Sequence, residues 1–168
     1  DPHPTTVFAP DRAPTMLTTL ADRVELLKIH GADQVAVMKF NEKFAAMSPD
    51  NFVKVVLVDQ LRASTVIVGK NFTYGYKAAG SVDSLITSAA ALNFTVDAQE
   101  LNSDNGEVIS SSRIRTLVRE GKVEDARLLL GRPHRLDGVV VHGEKRGRQI
   151  GYPTANLGNI DGQTIPED

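Results

Sequence analysis

Cysteine is missing from all 168 residues, which excludes disulfides, zinc–thiolate sites and iron–sulfur clusters and suits a reducing, cytoplasmic setting. No apolar run approaches the ~20 residues that a membrane-spanning helix needs, so a membrane is not an expected partner. Charge of one sign is not in excess either. The formal net charge is −2, too little to draw the chain to nucleic acid or to an anionic bilayer. Recognition of an anion must therefore be local. Two Asn-x-Thr tripeptides, at Asn71 and Asn93, come without a secretory segment and are read as chance.

What is present is globular in composition, with 41% hydrophobic and 24% charged residues. The length suits one domain, or one domain and part of another. The chain starts at Asp1 without Met and stops soon after a glycine-rich stretch, so a piece of a longer protein is expected. Thr18 or Thr19 caps a helix through residues 20–30, with Leu20, Val24, Leu27 and Leu26 as its apolar face and Gly31 at its end. QVAVMKF (34–40) is strand-like by its β-branched content. Ser48 and Pro49 begin a helix that runs to about Leu61, and STVIVG (64–69) is a strand. A loop over 70–80 leads to a helix over 81–93, a strand at FTVDAQEL (94–101) and two short helices at 111–120 and 123–130. Such alternation predicts an α/β fold with a doubly wound parallel sheet, whose remaining strands would lie upstream. From Gly131 the texture changes: RLDGVVVHG (135–143) is a strand and the remainder is loop-like, as at the opening of a β-rich domain. The expected division is 1–130 and 131–168.

Four stretches carry candidate chemistry. In ISSSRIR (109–115), Ser110, Ser111 and Ser112 can accept from the free amides of a first helical turn. Arg113 and Arg115 occupy the positive end of that helix, where an acid is the usual residue; each costs about 0.3–1 kcal/mol there. Solvated arginines on a surface helix explain this, and so does a polyphosphate gripped by amides, hydroxyls and a guanidinium. Two residues apart, only one of the arginines can face that anion. The loop from Gly69 to Gly80 follows the carboxyl end of a strand, where α/β sheets bind ligands. Gly69 and Gly75 let its backbone approach a flat partner, Phe72, Tyr74 and Tyr76 gather there, and Asn71 offers a donor and an acceptor. A connecting loop pinned by its aromatics is the alternative. In DPHPTTVF (1–8) two prolines hold the chain extended around His3, a segment with little weight of its own. In HGEKRGRQIGYPTAN (142–156), Lys145, Arg146 and Arg148 lie among glycines. Thr154 and Asn156 fall on one side of an extended backbone, as a metal–phosphate site requires, although a basic loop would also read this way.

Taken in order, DPHP, GxNFxxG, ISSxxIR, GRPHRLxGxVVxG and RGRxxGYPTAN resemble the bacterial bifunctional riboflavin kinase/FAD synthetase family over nearly the whole chain. The resemblance implies a Rossmann-like nucleotidyltransferase that moves AMP from ATP onto FMN, giving FAD and pyrophosphate. It also implies the start of a β-barrel kinase that phosphorylates riboflavin with ATP and Mg²⁺. Ser111, Ser112 and Arg115, with Ser110 beside them, match the group that holds the ATP phosphates. Asn71, with Gly69, Phe72 and Gly75, matches the flavin and nucleotide loop. His3 and Phe8 match the isoalloxazine pocket. Thr154 and Asn156 match the kinase's metal and phosphate ligands, with Arg148 as a nucleotide contact. Small molecules are then the expected partners, and a homo-oligomer is compatible with the sequence. The family's HxGH motif is expected before Asp1 and its kinase glutamate after Asp168. Ser112 stands where Thr is usual and Tyr74 where Phe is common. Two readings remain beside this one: another nucleotidyltransferase of the superfamily, and a non-catalytic flavin-nucleotide-binding module.

Overall fold

Five helices open on Thr19, Asn41, Ser48, Ser81 and Ser110, whose side-chain oxygens each accept from an amide of the first turn. The computed structural model describes residues 1–143, 151 and 155–167. In chain order its elements are α1 (Pro4–Phe8), α2 (Leu20–Ile29), α3 (Glu42–Ala45), α4 (Pro49–Asn51), β1 (Thr65–Gly69), β2 (Thr73–Tyr74), β3 (Gly80–Ser81) and α5 (Val82–Leu92). There follow β4 (Thr95–Gln99), β5 (Ser103–Asp104), β6 (Glu107–Val108), α6 (Ser111–Arg119), α7 (Val123–Leu130), β7 (Val139–Val141) and β8 (Asn156–Gly158). The chain divides into two units: Asp1–Ala13 with Val37–Ile109, and Pro14–Ala36 with Ser110–Asp168.

In the first unit β1 and β4 pair in parallel, from Thr65↔Thr95 to Gly69↔Gln99, with α5 between them in sequence. This is the βαβ arrangement that the alternation predicts, and the unit is α/β with a parallel sheet. Val66, Val68 and Val96 point to the side where Leu57, Leu85 and Phe94 are buried. Ser81 and Ser84 form a reciprocal capping box at the start of α5, and Asn93 ends it in the left-handed region (φ 59°). After α4 the helix continues as a π-helix, Phe52–Gln60, in which Leu61 N–H reaches back to Val56 O at 3.0 Å. The wider turn still buries Val53, Val56 and Leu57.

Three expectations change here. QVAVMKF is not a strand. β-Branched residues make a strand only against a partner's ladder, and residues 38–40 bond instead to Asp1, whose amino group donates to Met38 O (2.5 Å) and whose carbonyl accepts from Phe40 N–H (3.3 Å). DPHPTTVF is helical from Pro4 to Phe8, while His3 before it is extended (φ −59°, ψ 138°); its Nδ1 accepts from Thr5 N–H at 3.2 Å and caps α1. A short hairpin, β5 with β6, turns through Asn105 and Gly106 (φ 51° and 80°), an Asn-Gly signal that the residues carry openly.

In the second unit, α6 and α7 meet at Gly121 (φ 71°) and bury Ile114, Val118 and Ala126. The inner face of α2 is not the expected stripe: Leu20 and Leu27 are 38% and 46% exposed, whereas Asp22 is buried. That carboxylate is satisfied by the Thr19 hydroxyl (2.9 Å) and by Arg135 Nη1 (3.1 Å), which makes burial of an acid tolerable. β7 pairs antiparallel with β8, Val139↔Gly158 to Val141↔Asn156, so the stretch read as loop contains one short strand. Met16 and Gln163 form a parallel bridge. The Gln163 carboxamide accepts from Asp137 N–H (3.0 Å) and donates to Asp137 O (2.6 Å).

Candidate functional site

Aromatic residues scattered through the sequence converge in the first unit. The Phe72 ring stacks on Tyr74 (centroids 5.6 Å apart, 16° between planes), and Tyr74 packs on Phe52 (5.3 Å). Edge-to-face contacts extend the series through Phe44 (6.2 Å), Phe40 (5.7 Å) and Phe8 (6.1 Å). Together with Pro4, Met47 and the loop 73–78 they line a cavity of about 770 Å³, in the range of small-molecule sites. A flat apolar ring system suits such walls. The Tyr74 hydroxyl meets Ser84 Oγ at 3.0 Å, so the polar tip at a position where Phe is usual has a partner.

The turns of the wall depend on two glycines. Gly75 has φ 74°, and a Cβ there would lie 2.7 Å from the Pro49 nitrogen. At Gly80 a Cβ would lie 2.7 Å from the Tyr74 ring. Of the residues singled out in the sequence, Phe8, Phe72, Tyr74, Gly75 and Tyr76 line the cavity. His3 caps the helix that presents Pro4 and Phe8. Asn71 is exposed beside the end of β1, its Oδ1 3.1 Å from where a Cβ on Gly69 would stand. Phe40, Phe44, Phe52 and Lys77 escaped the sequence reading. No local pattern marks them, because they come from separate elements and meet only when folded.

The second candidate lies in the other unit, at the start of α6. Ser110 Oγ accepts from Arg113 N–H at 3.2 Å, and Ser111 and Ser112 are exposed in the first turn. Arg115 Nε donates to Thr15 O at 2.5 Å, and Arg119 Nη2 approaches Thr15 Oγ1 at 3.4 Å. Burial first, then the charges of Arg119 and Arg23, lowers the Arg115 guanidinium from its ordinary value. It stays cationic at neutral pH, and an anion would relieve the repulsion among the three arginines. A smaller cavity of about 450 Å³ in this unit is lined by Asp22, Glu25, Arg132, His134 and Arg135. Its carboxylates pair with Arg135, at 3.1 Å for Asp22 and 3.9 Å for Glu25.

Asn156 begins β8, and its carboxamide lies over Gly143, where an added Cβ would meet Nδ2 at 2.1 Å. Arg148 and Thr154 lie outside the described residues. A hydroxyl and a carboxamide oxygen are hard donors of the kind that Mg²⁺ accepts. Among the described residues no group of three His, Cys, Asp or Glu side chains is placed to hold a metal, and no helix is long and apolar enough to cross a membrane.

A family model for FAD synthetase matches residues 1–113, and one for riboflavin kinase matches residues 130–168. The chain is similar to the bifunctional riboflavin kinase/FMN adenylyltransferases of Bacillus subtilis (36% identity over 98% of this chain and 52% of that protein) and Listeria monocytogenes (37%, 99% and 53%). The protein of the same description from Buchnera aphidicola is 36% identical over 94% of this chain and 51% of its own. The chain thus spans about half the length of the curated relatives it matches. A Streptococcus pneumoniae crystal structure, described as a macrolide-efflux protein, is 32% identical and matches with a TM-score of 0.80, over 90% of this chain and 48% of that one.

Proposed function

The chain belongs to the FAD synthetase family, and on that premise we propose that it serves FAD biosynthesis within a bifunctional riboflavin kinase/FMN adenylyltransferase. Residues 1–130 belong to the adenylyltransferase module, whose N-terminal part would precede them, and residues 131–168 are the linker and the opening of the kinase β-barrel. The observation that carries this reading is the cavity walled by five of the chain's six phenylalanines. It takes the isoalloxazine ring of FMN, with Phe8 and Phe72 against its faces or edges and Asn71 and Gly69 at the adjoining strand end; His3 holds α1 in place.

The amides and hydroxyls at Ser110, Ser111 and Ser112, with the Arg115 guanidinium, take the phosphates of ATP. A phosphate oxygen of FMN forms a bond to the α-phosphorus, the bond from that phosphorus to the bridging β-oxygen breaks, and pyrophosphate leaves with the electron pair. Both reacting groups are already ionised, so no side chain has to act as nucleophile. The work is positioning and charge neutralisation. In the kinase module Asn156, with Thr154, would hold Mg²⁺, which when bound supplies positive charge against the ATP phosphates, and Arg148 would contact the nucleotide.

The test is direct. The whole protein incubated with ATP, Mg²⁺ and FMN should form FAD, resolved by chromatography. Absence of FAD, with turnover of a pantetheine or nicotinate nucleotide in its place, would move the chain to another branch of nucleotidyltransferases.

A further inference from the structure

The aromatic cavity has one charged residue in its lining, Lys77. Its neighbours there are hydrocarbon and aromatic side chains, the Thr73 and tyrosine hydroxyls, and backbone. The Lys77 ammonium sits 5.3 Å from the centroid of the Tyr76 ring, and both residues line the cavity and are exposed. Among the described residues no carboxylate pairs with it. A cation resting on an exposed ring is weakly held, and so is available to a stronger anionic partner.

The backbone adds a second observation. Lys77 (φ 53°, ψ 28°) and Ala78 (φ 55°) are consecutive non-glycine residues in the left-handed region. Such conformations persist where the surroundings dictate them, and they gather at ligand sites. A glycine at position 77 would ease the backbone and delete the cation. Lysine puts a charge in the lining of an otherwise uncharged pocket, in a turn whose Gly75 lies close against Pro49.

We infer that Lys77 is a specificity-determining residue: it binds the terminal phosphate of a flavin mononucleotide whose ring occupies the cavity, and so distinguishes FMN from flavins that lack phosphate. This rests on the flavin reading of the cavity proposed above. A ring system gains from the aromatic walls whether or not it carries phosphate. The phosphate alone gains from an ammonium group, a point charge that accepts it without demanding a fixed geometry.

The experiment measures two constants of FAD formation by the whole protein: the KM for FMN, and the Ki of lumiflavin, which has the ring but neither ribityl chain nor phosphate, as a competitor of FMN. Lys77→Met keeps the length and apolar stem of the side chain and removes the charge. It should raise the KM for FMN about ten-fold, the worth of one charge-assisted contact, and leave the Ki of lumiflavin unchanged. Lys77→Arg should restore the KM. A Met variant in which both constants rise together, or neither moves, overturns the inference while the flavin cavity stands. Failure of lumiflavin to compete with FMN in the unaltered protein overturns the cavity reading and this inference with it.

Discussion

Arg115 and Asn156 offer a separation of roles at single residues. Arg115 is aimed by the Thr15 carbonyl and crowded by Arg119 and Arg23, so Arg115→Ala would remove the proposed phosphate ligand and one of the three crowded charges. FAD formation at limiting ATP should fall about a hundred-fold, the scale of one lost transition-state donor, while riboflavin phosphorylation changes little. Asn156→Ala should do the reverse. Equal loss of both activities in either variant contradicts the assignment. At Gly75 the outcome is steric: Gly75→Ala places a methyl 2.7 Å from the Pro49 nitrogen on a backbone with φ 74°. A thermal melt should show destabilisation of about 1–3 kcal/mol, the cost of an outlying backbone conformation, and FMN titration should show weakened binding because the cavity wall moves.

Caps and strand pairing decide stability at the scale of elements. The Thr19 hydroxyl receives Asp22 N–H at 3.1 Å and donates to the Asp22 carboxylate at 2.9 Å. That hydroxyl first, and Arg135 with it, hold the Asp22 carboxyl below its ordinary value of 3.8 against the opposing effect of burial. The lowered value means that the unfolded chain takes up the proton more readily than the folded one. The stabilising contribution is therefore complete above pH 3.8 and is lost as pH falls through the lower folded value. Thr19→Ala should cost about 1 kcal/mol at neutral pH, measured by urea unfolding, and the gap from the unaltered protein should narrow in acid below that value. A gap that widens in acid would refute the coupling. QVAVMKF gives the complementary lesson: good strand composition stays irregular where the backbone groups at 38 and 40 are taken by Asp1. Local preference proposes an element, and a hydrogen-bonding partner disposes of it.

For the whole molecule, a ligand that fills the aromatic cavity stabilises the folded chain by mass action. FMN at about 100 times its Kd should add about 2.7 kcal/mol, seen as a raised Tm, and an adenine nucleotide without flavin should not act through that cavity. A Tm unmoved by saturating FMN would argue against a flavin in the site. The family was legible in the sequence because its signals are short and contiguous: the ISSxxIR helix start, the glycine-bounded loop and the GYPTAN run each lie within a dozen residues. So were the caps at Thr19, Ser48 and Ser110, the β1 and β4 strands and the helices between, since a cap or a hydrophobic period acts over a few neighbours. The cavity was not legible. Phe8, Phe40, Phe44, Phe52 and Phe72 are spread from position 8 to position 72, and only packing of distant elements brings them to ring-contact distances. Burial of Asp22 is likewise a tertiary outcome, because its cationic partner, Arg135, lies more than a hundred residues away. Sequence alone thus determined what the short-range physics of caps, turns and periodicity can encode. Which side chains share a cavity, and which charge may be buried, was decided by long-range packing, whose energies depend on neighbours that no window of sequence contains.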